Sequence, residues 1–495
     1  MAELVRFHNV VNGRPQASAT GRWIASANPY TGLDWAEIPH CGADDAVAAV
    51  EAAHAAFTKG PWASLSATAR GKLLRRLGDL IARDAERLAA IEVRDNGKLF
   101  AEMAAQLRYI PEWFHYYGGL ADKIEGGVLP TDKPNLFTYT RHEPLGVIVA
   151  ITPWNSPLML LAWKLAPALA AGNTVVVKPS EFTSCSTLAL MDLIEEAGFP
   201  DGVVNTVTGY GGEIGAALVE HPLVAKVAFT GGDASGAAVY GMAAKGIKRV
   251  TLELGGKSPN IVFADANLDD AVKGAISGIF AASGQTCIAG SRLLVQRSVY
   301  DEVSARVAAF AGTARLGDPM AATTQVGPIT TQPQRRKVLD YIDIARDEGA
   351  TCLLGGRVPT APGLERGWFV EPTIFRDVSN GMRIAREEVF GPVLSIIPFE
   401  DEDHAVEIAN DTIYGLASGV WTSDIRRAFA MADRIRAGTV WVNTYRAVSF
   451  MAPFGGYKMS GIGRESGREA INEYLQTKCV WINLAEGVPD PFVIR

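Results

Sequence analysis

Between Gly146 and Leu254 the chain repeats one pattern five times: a short apolar run bounded by glycine or proline, then a segment long enough for a helix. The runs are GVIVAI, TVVVKP, VVNTVTG, KVAFTGG and RVTLEL. Runs this short and this continuously apolar are buried on both faces, the condition of strands in a parallel sheet covered by crossover helices. Such a sheet gathers its ligands at the carboxyl ends of the strands, where the polar and glycine-rich residues fall here. The pattern therefore predicts an α/β fold with its chemistry on that edge.

Upstream, KLLRRLGDLIARDAERLAAI repeats Leu73, Leu77, Leu80 and Ile81 at helical spacing, predicting helical structure with an inward apolar face. A second unit begins after Gly255-Gly256, with a strand at 260–263 and an amphipathic helix through Leu268, Val272, Ile276, Ile279 and Phe280. Gly284 is expected to end that helix and to leave Cys287 just beyond its terminus. Further β/α alternation runs to about Trp441. The run CVWINL near the end leaves a strand edge that, in isolation, is unpaired and open to another subunit.

At 495 residues the chain exceeds what one core supports, so two or three units are expected. The net charge of −7 argues against a nucleic-acid partner, because phosphate neutralisation needs an excess of Lys and Arg. The five cysteines are scattered and lack both CxxC spacing and histidine companions, which predicts neither disulfides nor a metal site. Four of them, Cys41, Cys185, Cys352 and Cys479, read as small buried apolar residues. The opening MAELVRFHNVVNG lacks the apolar core of a signal peptide, and the most apolar stretch, 158–177, is interrupted by Lys164 and Asn173. No membrane association and a cytoplasmic location are expected.

Cys287 differs from the other cysteines in its setting, GQTCIAG. Flanking glycines permit close approach of backbone and ligand, and a thiolate is the most nucleophilic side chain near neutral pH. A second string, TLELGGKSP, puts Glu253 inside an apolar run just before a double glycine, where burial raises a carboxylate towards the working range of a general base. A buried cysteine and an ion-paired glutamate are the plainer alternatives for each string alone.

With PWNSP (153–157), KPSE (178–181), FTGGDASG (229–236), EEVFGPV (387–393) and PFGGYKMSG (453–461), these strings resemble the aldehyde dehydrogenase superfamily. They fall in its order and spacing through nearly the whole chain. The resemblance implies an NAD(P)-dependent, hydrolytic, non-acylating enzyme acting on a small-molecule aldehyde. It also implies a Rossmann-like cofactor-binding domain at 1–124 and 145–254, an α/β catalytic domain at 255–460, and a small β oligomerisation element at 125–144 and 475–495. A homodimer or homotetramer is the implied assembly.

By the same resemblance, Cys287 attacks the aldehyde carbon while the Asn155 amide and the Cys287 N–H hold the oxyanion, a donor of this kind contributing about 3 kcal/mol. Glu253 activates the water that hydrolyses the thioester. Lys164 and Glu465 match positions associated with a proton relay, and an ordinary ion pair is the alternative. Lys178, Ser180 and Glu181 match the contacts to the adenosine ribose, where a carboxylate repels a 2′-phosphate and favours NAD, with NADP left open. Phe229, Thr230, Gly231 and Gly236 match the turn that offers a helix N-terminus to the pyrophosphate, with Gly232 standing where many relatives have Ser. Ile151, Thr152, Pro153, Trp154, Gly215, Leu254, Gly255, Glu388 and Phe390 complete the implied cofactor site.

Leu160, Trp163, Thr286, Ile288, Asn443, Val448 and Phe454 are the implied tunnel residues. Trp113 and Tyr117 offer an aromatic wall for a ring-bearing aldehyde. Arg446 near the mouth suits the carboxylate of a semialdehyde, or is simply a solvated arginine. A CoA-acylating enzyme is disfavoured by Glu253. A catalytically silent protein is disfavoured by the joint presence of Cys287, Glu253, Asn155 and Lys178. A cysteine hydrolase is disfavoured because no histidine lies in an activating motif.

Overall fold

The structure is a computed structural model that describes residues 4–488 and 490–493. Residues 1–3, 489 and 494–495, which the expected cofactor and oligomerisation units include, lie outside the described residues. All five apolar runs are strands of one sheet: β1 (Val147–Ile151), β2 (Thr174–Lys178), β3 (Val204–Thr206), β4 (Val224–Thr230) and β5 (Arg249–Glu253). They pair in parallel in the order β3-β2-β1-β4-β5, and the short strand Gly461–Ile462 closes the β5 edge antiparallel. The strands are buried through Val147–Ala150 and Val175–Val177, so their branched side chains pack on both faces. Strand order reverses between β1 and β4, which opens a crevice beyond Ile151 and Thr230, the position where such sheets bind ligands.

The apolar stretch at 158–177 is a wholly buried helix, Pro157–Ala171, followed by β2. Pro157 occupies its first turn, where no amide partner is needed, and Gly172 ends it at φ 96°. No helix among the described residues is long and apolar enough to cross a membrane.

The second unit is a seven-stranded sheet: β6 (Pro259–Val262), β7 (Arg292–Gln296), β8 (Thr351–Leu354), β9 (Thr373–Arg376), β10 (Val393–Phe399), β11 (Ala417–Trp421) and β12 (Thr439–Val442). Its order is β8-β9-β10-β7-β6-β11-β12, parallel except at the β8 edge. The expected strand at 260–263 thus begins and ends one residue earlier, because Phe263 already turns away after bonding Trp421 O.

Three expectations need correction. The upstream helical stretch is divided into two helices, Ala67–Arg83 and Ala85–Asn96, at Asp84, whose carboxylate accepts from Arg83 and Arg87. Its buried stripe is Leu74, Leu77 and Ile81, with Leu73 and Leu80 only half-buried. The helix before Cys287 spans Leu268–Phe280 and stops four residues short of Gly284. The run CVWINL lies on the strand Leu475–Asn483, which pairs antiparallel with Leu136–Pro144 along its whole length; Val128–Leu129 adds a third strand on the far side, so the outer edge of Leu475–Asn483 has no strand partner among the described residues. On that strand Cys479 is exposed, and Cys352 is half-buried, so the buried-cysteine expectation holds for Cys41 and Cys185 only.

Candidate active site

Cys287 sits on a turn that local sequence does not favour. After Phe280 the chain passes through Ala282 at φ 53°, Ser283 at φ 54° and Gly284 at φ 71°, left-handed geometry that costs alanine and serine strain. Tertiary bonds impose it: Ala282 N donates to Glu102, Ser283 Oγ to Gly327 O, and Thr330 N to the Gln285 side chain. At Gly284 a side chain would come within 2.0 Å of Gly391 O, so glycine is required by space as well as by angle. The result presents Cys287, half-buried, to the crevice. Burial pushes its thiol up to about 12, with the Glu388 and Glu253 carboxylates adding to the effect and the Cys287 and Ile288 N–H groups opposing it. The thiol is therefore neutral near pH 7, and its reaction needs a base.

Asn155 follows the end of β1, and its Nδ2 donates to Gln285 O at 2.9 Å, which joins the PWNSP loop to the cysteine turn. Glu253 is the last residue of β5. It is buried, and neither carboxylate oxygen has a hydrogen-bond partner in the protein. Burial, then the Glu465 carboxylate, raises its pKa well above the ordinary carboxylate value, with Lys164 and Arg464 opposing. Lys164, on the buried helix, ion-pairs with Glu465 and donates to Thr230 Oγ1 at 2.6 Å. The two residues lie 301 positions apart in sequence and meet beside Glu253.

The remaining crevice has the features a dinucleotide requires. The helix Asp233–Lys245 starts after Gly232, and a side chain at either Gly232 or Gly215 would meet open space. Gly236, by contrast, packs against Leu254, where a Cβ would lie 2.4 Å from Cδ2. Gly231, whose Cβ would meet the Phe229 ring at 2.6 Å, is equally closed. Lys178 Nζ lies 3.1 Å from Glu181 beyond β2, and Ser180 N-terminal to that turn accepts from Phe182 N. Thr152 follows Ile151 and is buried with its hydroxyl unpartnered. Pro153 leads into Trp154, whose ring meets Phe390 edge-on at 5.1 Å. Phe390 holds φ 56°, fixed by Gln334 Nε2 donating to the Val389 and Phe390 carbonyls. Glu388 accepts from Gly256 N at 2.9 Å, and burial pushes its carboxyl up to about 7. At Gly255 a Cβ would lie 2.6 Å from Glu388 Oε2, so a side chain there would displace that carboxylate.

On the other side lies an aromatic cluster. Trp163 stacks on Trp113 at 5.8 Å and meets Phe454 edge-on at 5.1 Å. Trp113 and Tyr117 are fully buried and anchored to Ser466 Oγ and Gly467 O, so they stand behind the wall rather than forming its surface. Leu160 and Ile288 are buried, and Thr286 and Val448 are half-buried. Asn443 is exposed, with its amide bonded to both the N–H and the carbonyl of Thr422, a structural use. Arg446 is half-buried at φ 67°, and its hydrogen bond among the described residues goes to Ser277 O at 3.3 Å.

Two groups here carry no sequence signal of their own. Phe450 packs against Trp113, Tyr109 and Tyr116, extending the aromatic cluster. Lys98 is buried and donates to Ser156 Oγ at 2.8 Å, next to Asn155. Burial lowers it to about 8, with Glu102 opposing and Arg446 adding to the shift. Only Gly97, at φ 72° after the preceding helix, hints that the backbone is pinned there.

The family model described as the aldehyde dehydrogenase family matches residues 16–480. The chain is 46% identical to a (Z)-2-((N-methylformamido)methylene)-5-hydroxybutyrolactone dehydrogenase from Acinetobacter baylyi, covering 99% of this chain and 100% of that protein. It is 44% identical to a betaine aldehyde dehydrogenase from Bacillus subtilis, over 94% of this chain and 96% of the relative. The crystal structure of a betaine aldehyde dehydrogenase from Staphylococcus aureus in complex with NAD+ superposes with a TM-score of 0.97 at 40% identity, covering 98% of this chain and 97% of that one.

Proposed function

Because the chain belongs to the aldehyde dehydrogenase family, we propose that it oxidises an aldehyde to the carboxylic acid with NAD, through a covalent adduct on Cys287 that Glu253-activated water resolves. The observation that carries this is the meeting of Cys287, Asn155 and Glu253, from three separate elements, at the carboxyl edge of one sheet. The Asn155 amide and the Cys287 N–H then face the oxygen on which charge develops as sulfur bonds to carbon. When bound, the nicotinamide supplies the hydride acceptor. Glu253, free of protein partners, next takes a proton from water as that water attacks the thioester carbon.

Ile151–Trp154, Gly215, Gly232, Glu388 and Phe390 line the crevice that would hold the dinucleotide, and Lys178 with Glu181 would meet its adenosine ribose. The Staphylococcus aureus relative binds NAD+, and a carboxylate at Glu181 opposes a 2′-phosphate. The expected result is kcat/KM at least about tenfold higher with NAD than with NADP, equivalent to about 1.4 kcal/mol. Glu181→Gln is expected to narrow that ratio, and a wild-type preference for NADP would overturn the assignment.

Two features support a semialdehyde or ring-bearing aldehyde: Arg446, which has one weak carbonyl contact and acts on the buried Lys98, and the aromatic cluster around Trp163. A panel of aliphatic, aromatic and carboxylate-bearing aldehydes, followed by NADH formation, tests both levels. No aldehyde-dependent reduction by any of them would sink the function. Arg446→Ala is expected to lower kcat/KM about tenfold to a hundredfold for acidic aldehydes alone, the value of a charged hydrogen bond of about 1.5–3 kcal/mol. An equal loss on neutral aldehydes rejects the anion contact.

A further inference from the structure

Glu253 is one of a row of buried groups without hydrogen-bond partners. In-register pairing sets Thr230 beside Glu253, Ala228 beside Thr251 and Lys226 beside Arg249. Side chains alternate along a strand, so Lys226, Thr230, Thr251 and Glu253 share one face of the sheet. Against that face lie the helix carrying Lys164 and the turn Glu469–Tyr474. Thr251 Oγ1, Lys226 Nζ, Tyr474 Oη, Glu465 Oε2 and both Glu253 oxygens are all buried there and find no hydrogen-bond partner in the protein. Buried polar groups are almost always satisfied, and a contiguous set left open by the protein is the setting in which ordered water is retained.

The row has an inner and an outer end. Inside, Glu253 lies beside Thr230, Lys164 and Glu465. Outside, Lys226 Nζ is 3.7 Å from Glu473 Oε2 and 5.0 Å from the centre of the Tyr474 ring. The Lys226 side chain is fully buried, whereas that of Glu473 is 34% exposed and reaches solvent. Thr251 bridges the span, for a Cβ at Gly463 would touch both its Cγ2 at 2.7 Å and Glu473 Oε1 at 3.1 Å. Lys226 and Thr230 are four positions apart, about 13 Å of strand, too far for direct transfer and suited to a few waters. Burial lowers Lys226 to about 8, with Glu473 and Glu465 holding its charge and Lys164 opposing, so it exchanges protons near neutrality.

We propose that Lys226 and Glu473 form the outer half of a proton route, with water between the side chains, that carries to solvent the proton Glu253 takes from the hydrolytic water. This rests on Glu253 being the base. As the water oxygen bonds to the thioester carbon, its proton passes to Glu253 and the C–S bond breaks, leaving its electron pair on Cys287. The proton moves through Glu465 and Lys164 to Lys226, whose ammonium releases one proton to Glu473 and solvent and takes one from the inner side. Glu253 is returned to its ionised form. Lys226 and Glu473 touch no reacting atom and act only through Glu253.

Lys226→Met and Glu473→Gln in the full-length enzyme test the route, the second keeping the test open if the first fails to fold. Rapid mixing reads the NADH burst, and acid quench reads the disappearance of the acyl-enzyme, in dilute buffer with and without imidazole. The burst is expected to stay at wild-type size while acyl-enzyme decay slows about tenfold, less than the hundredfold or more that a proton-transfer group itself contributes. Imidazole is expected to restore the rate. Wild-type decay in both variants would overturn the route, as would a loss shared by burst and decay that imidazole leaves unchanged, the mark of a purely structural ion pair. Glu253→Gln run alongside separates the two ideas: if it stalls while both outer variants do not, only the route fails.

Discussion

Cys287→Ala is expected to abolish aldehyde-dependent NADH formation, a loss of about 10⁴-fold or more, since removal of a covalent nucleophile leaves only binding and oxyanion stabilisation. Among the described residues no other cysteine lies beside Asn155 and Glu253 to replace it. Cys41 and Cys185 are buried in other clusters, and burial pushes the Cys41 thiol up to about 12 and raises that of Cys185 well above the ordinary thiol value. The substitution removes one sulfur from a half-buried position whose backbone is held by Ser283, Gln285 and Ala282, so the turn and the fold are expected to survive. Unchanged NAD affinity and melting temperature would separate a chemical from a structural effect. Turnover above about 1% of wild type in the purified variant would be incompatible with a covalent role for Cys287.

The parts of this site differ in how far the sequence exposes them. The five strands of the first sheet are plain because each is a continuous branched apolar run between glycines and prolines, a local pattern that tertiary contacts have no reason to override. Glu253 is equally visible, a carboxylate embedded in such a run. The end of the helix before Cys287 is not, because Ala282 and Ser283 adopt left-handed angles under bonds from Glu102 and Gly327, distant partners that a reading of GQTC does not contain. The break at Asp84 is similarly hidden, since an arginine on each side captures its carboxylate. Lys164 and Glu465 were reachable only through family resemblance, being a common charge pair in sequence and a buried contact in space. Lys98 and Lys226 are the extreme case. Lysines are almost never buried unpaired, so residue type argues against an interior place for both, even though Lys226 opens a run read as a buried strand.

Glu253→Gln is expected to give a full first-turnover burst of NADH and then to stall, with acyl-enzyme decay slowed about 10²- to 10⁴-fold, the contribution of a positioned general base. Glutamine keeps the size and the hydrogen-bonding reach of the side chain but cannot accept the proton. It also removes a carboxylate that is buried without a partner, so stability is expected to hold or rise. The sign of the pH effect follows from the raised pKa. A base acts when ionised, so wild-type decay falls on acidification through the Glu253 pKa, and burial with the Glu465 charge places that fall at a higher pH than for an ordinary carboxylate. In the variant this acid limb disappears. Hydroxylamine, a nucleophile that needs no base, is expected to discharge the stalled acyl-enzyme and restore cycling. Steady-state turnover equal to wild type would remove Glu253 from the hydrolytic step. A burst lost together with turnover would instead place its essential work earlier, at the deprotonation of Cys287, whose neutral thiol makes that demand on the same carboxylate.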